Sequence, residues 1–292
     1  LISLNVDDRD VMNKSRDISF RSLTSSEVAT AIDWAAAEGW NPGLHDAETF
    51  YETYPSGFYG AEIDGELAGT FSIVQYSDAF AFGGLYILNP KLRGQGFGLQ
   101  MQQYALNLAG SVNLGIDGVF AMQDRYRQVG FIYAYRNIRY AGTGGGSAPS
   151  TLVPIDQVPF DEVVAYDAAH FPAPRSRFLE LFLSQRDATA LAAVDKCGMR
   201  GYGVIRRCRV GHKIGPLFAD SAAVAEDLFN GLAASVPGEE IFLDVPEPNS
   251  RAVSLASAHQ MVPVFGTARM YTRSIPALPL DEIYGVSTFE LG

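Results

Sequence analysis

Residues 85–99 read Leu-Tyr-Ile-Leu-Asn-Pro-Lys-Leu-Arg-Gly-Gln-Gly-Phe-Gly-Leu: an apolar strand, a proline-marked exit and a glycine-rich turn. Beyond the turn, Met101, Tyr104, Ala105 and Leu108 recur on one side and Gln100, Gln103 and Asn107 on the other, which predicts an amphipathic helix over 98–109. Arg93, Gly94, Gln95, Gly96 and Gly98 therefore lie at a helix N-terminus. Glycine lets the backbone approach an anion without a Cβ in the way, the free amides of the first turn donate to its oxygens, and the helix dipole favours the negative charge. The arrangement predicts a pyrophosphate ligand. A Walker A loop would end in Gly-Lys-Ser/Thr, and a dinucleotide fingerprint would read Gly-x-Gly-x-x-Gly; neither is present.

The flanks extend the pattern. Gly57–Ile63 and Leu67–Gln75 read as strands joined by an Asp64-Gly65-Glu66 hairpin signal, and Phe80–Leu88 follows as a third strand. Downstream, Tyr126-Arg-Gln-Val-Gly130-Phe131 precedes an alternating strand, Ile132–Tyr140. Arg93-Gly94-Gln95-Gly96-Phe97-Gly98 resembles the Arg/Gln-x-x-Gly-x-Gly/Ala signature with which GNAT acyltransferases hold the coenzyme A pyrophosphate, and Tyr126–Phe131 resembles the family's Tyr-x-x-x-Gly-Phe segment. The resemblance implies a coenzyme A site made from Tyr86, Ile87 and Leu88 on the strand and Arg93, Gly94, Gln95, Gly96, Phe97, Gly98 and Leu99 on the loop. It also implies that Tyr126 is the acid that protonates the leaving thiolate, a role a phenol with a pKa near 10 can fill.

Bulk composition bounds the rest. The chain has 292 residues, 47% hydrophobic and 19% charged, which suits a soluble protein of two domains. No apolar run approaches the roughly twenty residues of a membrane span, and Leu1–Asp10 lacks a signal pattern, so a cytoplasmic location is expected. The net charge of -11 argues against nucleic-acid and anionic-membrane partners. Cys197 and Cys208 are too few for a disulfide framework and are expected to pack in the core. His45, His170, His212 and His259 have no ligand spacing, so no metal is expected.

The Gly/Ser-rich stretch 142–151 divides the chain into 18–141 and 152–292. The second part reads as helices at 160–170 and 175–185, strands at 188–195, 201–207 and 212–218, a helix at 221–234, a strand at 240–245, a helix at 250–259 and a strand at 264–271. Gly201–Arg206, Ile214–Asp220, Leu243–Asn249 and Thr288–Gly292 resemble the C-terminal domain of a two-domain GNAT subfamily. The expected fold class is therefore α/β (α+β), two GNAT-like domains in tandem, each a mixed, mostly antiparallel twisted sheet flanked by helices. The second loop, Gly215-Pro-Leu-Phe-Ala-Asp220, lacks the arginine and paired glycines. Asp220 is expected to cap the following helix, and the second domain to be degenerate as a coenzyme site.

The function implied is transfer of an acetyl group from acetyl-coenzyme A to the amine of a small molecule by direct attack. A longer acyl donor, or coenzyme sensing without turnover, stays open. Family members bind the acceptor between their first two helices, which points to Glu38, Trp40, Asn41 and Asp46; the same residues also fit a solvated turn around Asn41-Pro42-Gly43. Asp244, Glu247 and Asn249 follow a strand end and either face an interdomain cleft or, for Asn249, cap a helix. No acidic residue lies between Phe80 and Leu88, so the base is unassigned. Tyr284–Gly292 looks strand-like and would complete a sheet within a monomer or across a homodimer.

Overall fold

The computed structural model describes residues 17–292; the reading of Leu1–Asp10 lies outside them. The first half runs β1 (Ile18–Ser22), α1 (Ser25–Ala37), α2 (Asp46–Thr53), β2 (Phe58–Ile63), β3 (Glu66–Gln75), β4 (Phe80–Leu88), α3 (Phe97–Ala109), β5 (Asn113–Val119), α4 (Gln123–Gln128) and β6 (Ile132–Thr143). The second runs β7 (Leu152–Pro154), α5 (Phe160–His170), α6 (Ser176–Leu183), β8 (Ala188–Asp195), β9 (Gly198–Arg207), β10 (His212–Ala219), α7 (Ala222–Ala234), β11 (Glu240–Pro246), α8 (Ser250–Ala258), β12 (Val262–Tyr271) and β13 (Ile283–Gly285). The hairpin between β2 and β3 turns on Asp64 and Gly65, both at positive φ as a tight primed turn requires.

The two halves share one continuous sheet, ordered β1-β2-β3-β4-β5-β12-β6-β11-β10-β9-β8-β7, with β13 paired to β10. The order is palindromic in kind. β12, from the second half, pairs antiparallel with β5, and β6, from the first, pairs antiparallel with β11; β6 and β12 pair with each other at the centre. Each half thus lends its last long strand to the other. The stretch after β6 is anchored to the second half, where the Gly144 and Gly145 amides donate to the Glu239 and Ala233 carbonyls.

One face of the sheet carries α1, α2, α5 and α6 over a core that spans both halves, including Val28, Ile32, Phe50, Phe178, Phe182, Leu85 and Ile87. Phe289 and Leu291 of the C-terminal segment lie in that same core. The other face carries α3 over Leu88, Phe97, Met101 and Phe131, and α7 with α8 over Leu228, Leu232, Leu243 and Leu255. Burying each such phenylalanine or leucine contributes on the order of 1.5–3 kcal/mol.

Several sequence expectations need correction. The cap of α7 is Ser221, whose hydroxyl accepts from the Val224 amide at 3.3 Å. Asp220 instead accepts from the Tyr166 hydroxyl at 2.6 Å and pairs with Arg200 at 3.1 Å. Cys208 is buried as expected, but Cys197 is exposed in the turn between β8 and β9. Of Tyr284–Gly292 only the first residues are strand, in β13; the remainder is irregular yet buried, and it completes the sheet within the chain.

Candidate active site

β4 and β5 run parallel and pair only from Phe80↔Asn113 to Gly83↔Ile116. Beyond Gly83 the strands part. A register shift against β3 and a positive φ at Leu85 mark a bulge at the point of divergence, fixed by the Thr70 hydroxyl donating to the Leu85 carbonyl at 3.0 Å. Among the described residues, the β5 side of Gly84–Leu88, which includes Tyr86, Ile87 and Leu88, has no strand partner. A peptide edge of this kind is a ready donor and acceptor row for an extended ligand.

The glycine loop stands at the far end of the β4 arm. Gly94 and Gly96 have φ of 78° and 88°, and Gly96 is the N-cap of α3. A Cβ built on either would meet nothing within 4 Å, and one on Gly98 only the Tyr86 hydroxyl at 3.8 Å and Leu88 at 4.0 Å, so the space over the loop is a cradle open to a ligand. Arg93 Nε donates to the Leu88 carbonyl at 3.0 Å and the Tyr86 hydroxyl to the Gly98 carbonyl, which tie the loop and the start of α3 to β4, while the Gln95 side-chain amide donates to the Lys91 carbonyl within the loop. Phe97 turns inward and anchors the helix in the core, whereas Leu99 is exposed.

Tyr126, in the same cluster as Tyr86 of β4, packs on the α3 face of the β5 arm, its ring where a Cβ on Gly118 would collide with it. Burial pushes its pKa up to about 12, so the phenol is protonated at neutral pH.

On the opposite face the four acceptor-loop residues do not act as one cluster. The Glu38 carboxylate pairs with Arg93, linking this loop to the glycine loop. The Trp40 carbonyl accepts from Arg139 at 2.7 Å. Asn41, at a φ of 52°, exchanges hydrogen bonds of 2.9 Å with the Val210 amide and carbonyl in the second half. Asp46 is fully buried and accepts from Arg206 Nε at 3.0 Å and Nη2 at 3.2 Å and from the Gly43 amide at 2.7 Å. Burial alone would raise the Asp46 pKa, but Arg206, Lys213 and the Gly43 amide lower it on balance. With three hydrogen bonds accepted within the protein and no exposure to solvent, this carboxylate serves as a loop anchor.

The same face holds further buried pairs that the sequence did not disclose. Arg139 meets Asp244 at 2.6 and 2.7 Å, Arg175 meets Asp167 at 2.8 Å twice, and Arg269 meets Asp117 at 2.9 and 2.6 Å. Asn249 caps α8 through the Arg251 and Ala252 amides, and Glu247 makes a surface pair with Arg136, so neither faces a cleft. No partner of a buried arginine can be read from spacing, since each aspartate is distant in sequence or on another element.

The second half has an equivalent fork, and it is filled. β10 and β11 pair in parallel from His212↔Ile241 to Ile214↔Leu243 and then diverge. β13 enters the gap, pairing with β10 at Leu217↔Gly285 and Phe218↔Ile283, while the Val286 amide donates to the Asp244 carbonyl on β11 at 2.9 Å. Two of the requirements of the first site are therefore missing here, the open edge and the glycine cradle. Among the described residues no group of three or more His, Cys, Asp or Glu side chains is set to hold a metal, and no helix is long and apolar enough to cross a membrane.

Comparison with known proteins agrees with this layout. The model described as "Acetyltransferase (GNAT) family" matches residues 26–136, and "Acetyltransferase (GNAT) domain" matches 163–285. A holothin acyltransferase of Pseudoalteromonas sp. (strain SANK 73390) is 28% identical over 294 residues, covering 100% of both chains. A crystal structure of a Pyrococcus horikoshii protein assigned to the acetyltransferases superposes with a TM-score of 0.80 at 24% identity, covering 94% of this chain and 96% of that one. A tandem GNAT protein from the clavulanic acid biosynthesis pathway superposes at 0.62 with 13% identity, covering 89% of this chain and 100% of the other; both likenesses concern the fold. With two GNAT units matched in order and an acyltransferase relative aligned over its full length, the chain belongs to the GNAT family and is a tandem-domain acyltransferase.

Proposed function

We propose that the chain transfers an acetyl group from acetyl-coenzyme A to the amine of a small molecule, at the fork between β4 and β5. The observation that carries this reading is the open fork itself, with the glycine cradle at one end and Tyr126 packed over Gly118 of its β5 arm. Residues 18–141 form the catalytic unit and 152–292 a degenerate partner that walls the acceptor side. Cys197 and Cys208, both free thiols, suit a cytoplasmic enzyme.

The residues present fit the coenzyme. Gly94, Gly96 and Gly98 leave room for a pyrophosphate over the first amides of α3, where the helix dipole adds to the attraction. Tyr86, Ile87 and Leu88 offer the strand edge for the pantetheine amides. Acetyl-coenzyme A supplies an activated thioester carbonyl. The chain has three tasks: to hold that carbonyl at the strand edge, to keep the acceptor amine uncharged, and to protonate the departing sulfur. Tyr126 performs the last, since its phenol keeps its proton until a thiolate draws it away.

The test is calorimetric titration of acetyl-coenzyme A into the wild-type chain and the Gly96→Asp variant, which puts a carboxylate in the cradle. One site per chain, lost in the variant, is expected. Absence of binding to folded wild type would reduce the loop to a turn and remove the reading.

A further inference from the structure

We propose that Glu290, on the segment after β13, is the general base that takes the proton of the acceptor amine. The proposal rests on the first fork being the coenzyme site. That segment leaves the second fork at Gly215, where the Val286 carbonyl takes the space of a Cβ, and crosses to the first fork at Gly84, where the Glu290 carbonyl does the same. Gly84 directly follows the last paired residue of β4, so the Glu290 backbone lies over the apex of the open fork, and its carboxylate extends from there among Lys213, Asp46, Arg139 and Arg206. It approaches from the face that bears α1 and α2, whereas Tyr126 approaches from the face that bears α3.

Glu290 is 2% exposed, and among the described residues neither carboxylate oxygen has a hydrogen-bond partner. A buried carboxylate normally has its lone pairs satisfied, and an exception calls for an explanation such as a catalytic role. The charged groups around it are Lys213 of β10, Asp46 of α2, Arg139 of β6 and Arg206 of β9. Arg139 and Arg206 spend their guanidinium forks on Asp244 and Asp46, and Lys213 Nζ also has no hydrogen-bond partner. The other carboxylate beside the apex on this face, Asp117, accepts from Arg269 twice, from Asn137 and from Thr267, and so is spent. Only Glu290 of the two retains lone pairs for a substrate proton. Burial pushes its pKa up, against the pull of Lys213, which brings it nearer to that of an amine.

In the step, the nitrogen–carbon bond forms as the carbon–sulfur bond breaks. The amine proton passes to Glu290, and the Tyr126 phenolic proton passes to sulfur. The carboxylic acid and phenolate then exchange their proton through solvent, which restores both groups.

The experiment measures coenzyme A thiol release from acetyl-coenzyme A across pH, with benzylamine and with water alone as acceptors. Wild type, Glu290→Gln and Glu290→Asp are compared, each checked by thermal melting and calorimetric coenzyme binding. Expected are a wild-type rate that rises with pH along an acidic limb, a loss of about a hundredfold in kcat/KM and of that limb in the Gln variant, and partial recovery in the Asp variant, with coenzyme affinity unchanged. A Gln variant that keeps the wild-type rate and limb overturns the proposal. So does a wild type that binds the coenzyme yet releases no thiol to either acceptor at any pH. Failure of wild type to bind the coenzyme would instead remove the reading of the fork and, with it, any catalytic role for Glu290.

Discussion

Asp46 shows how far a residue's chemistry depends on what reaches it. Its place in a loop between two helices suggested an acceptor ligand; in the structure it is the buried partner of Arg206, which comes from the other half of the chain. Asp46→Asn would leave Arg206 buried without its charge partner, so a loss of about 3–5 kcal/mol in chemical denaturation is expected. Because its folded pKa is lowered, the stability Asp46 contributes is present above its ordinary value of 3.8 and is lost as pH falls through the lower folded value. Glu290 has the opposite sign. Its folded pKa is raised above 4.5, so the native state is favoured below that value and loses this contribution as pH rises toward the folded pKa. Glu290→Gln should therefore flatten the decline in melting temperature over that interval. For Tyr126→Phe, a fall in kcat of about a hundredfold with unaltered coenzyme affinity is expected from steady-state kinetics and calorimetry. Tyr126 was singled out in the sequence by a short motif, and its role as the acid rests on that resemblance. Glu290 was not, since nothing near it in sequence marks chemistry; its significance comes from Gly84 and Lys213, both remote in the chain.

At the level of elements, legibility followed local periodicity. The hairpin on Asp64-Gly65, the strand ending at Leu88 and the helix after the glycine loop all stand where apolar spacing and turn residues placed them. The predicted start of that helix differs by one residue, because Phe97 uses the first turn to anchor in the core. β5 escaped notice: Asn113–Val119 contains two glycines and an aspartate, and it is held by neighbours on both sides rather than by its own propensity. β13 was only partly visible: Tyr284–Gly292 reads as strand-like, but the strand is confined to Ile283–Gly285, a length that carries no period. Its function is positional, and Gly285 is the pivot: a Cβ there would lie 2.7 Å from Leu243 Cδ1. Gly285→Val should dislodge β13 from the second fork, lower the melting temperature, and slow turnover through the displaced segment that follows. Unchanged melting and turnover would mean that β13 is a passive filler.

Across the whole molecule the two halves are riveted by equivalent pairs. Arg139 on β6 faces Asp244 on β11, and Arg269 on β12 faces Asp117 on β5, each pair directly opposite in register. Each lent strand thus carries an arginine to an aspartate of the half that receives it. Spacing and composition revealed two similar units but not this exchange, because which strand neighbours which is decided by long-range pairing. Residues 17–143 produced alone would lack β12 beside β5 and β11 beside β6. Such a fragment is expected to associate or aggregate in light scattering, whereas joint production with 144–292 should recover a stable complex; a monomeric, cooperatively melting fragment would contradict the interdependence. The exchange also sets an order in time. During synthesis the coenzyme fork cannot be finished when its own residues emerge, since the outer neighbour of β5 is Val262–Tyr271, more than a hundred residues later. The first half must wait on the second, so acquisition of coenzyme binding during translation would report the emergence of β12, through Tyr271.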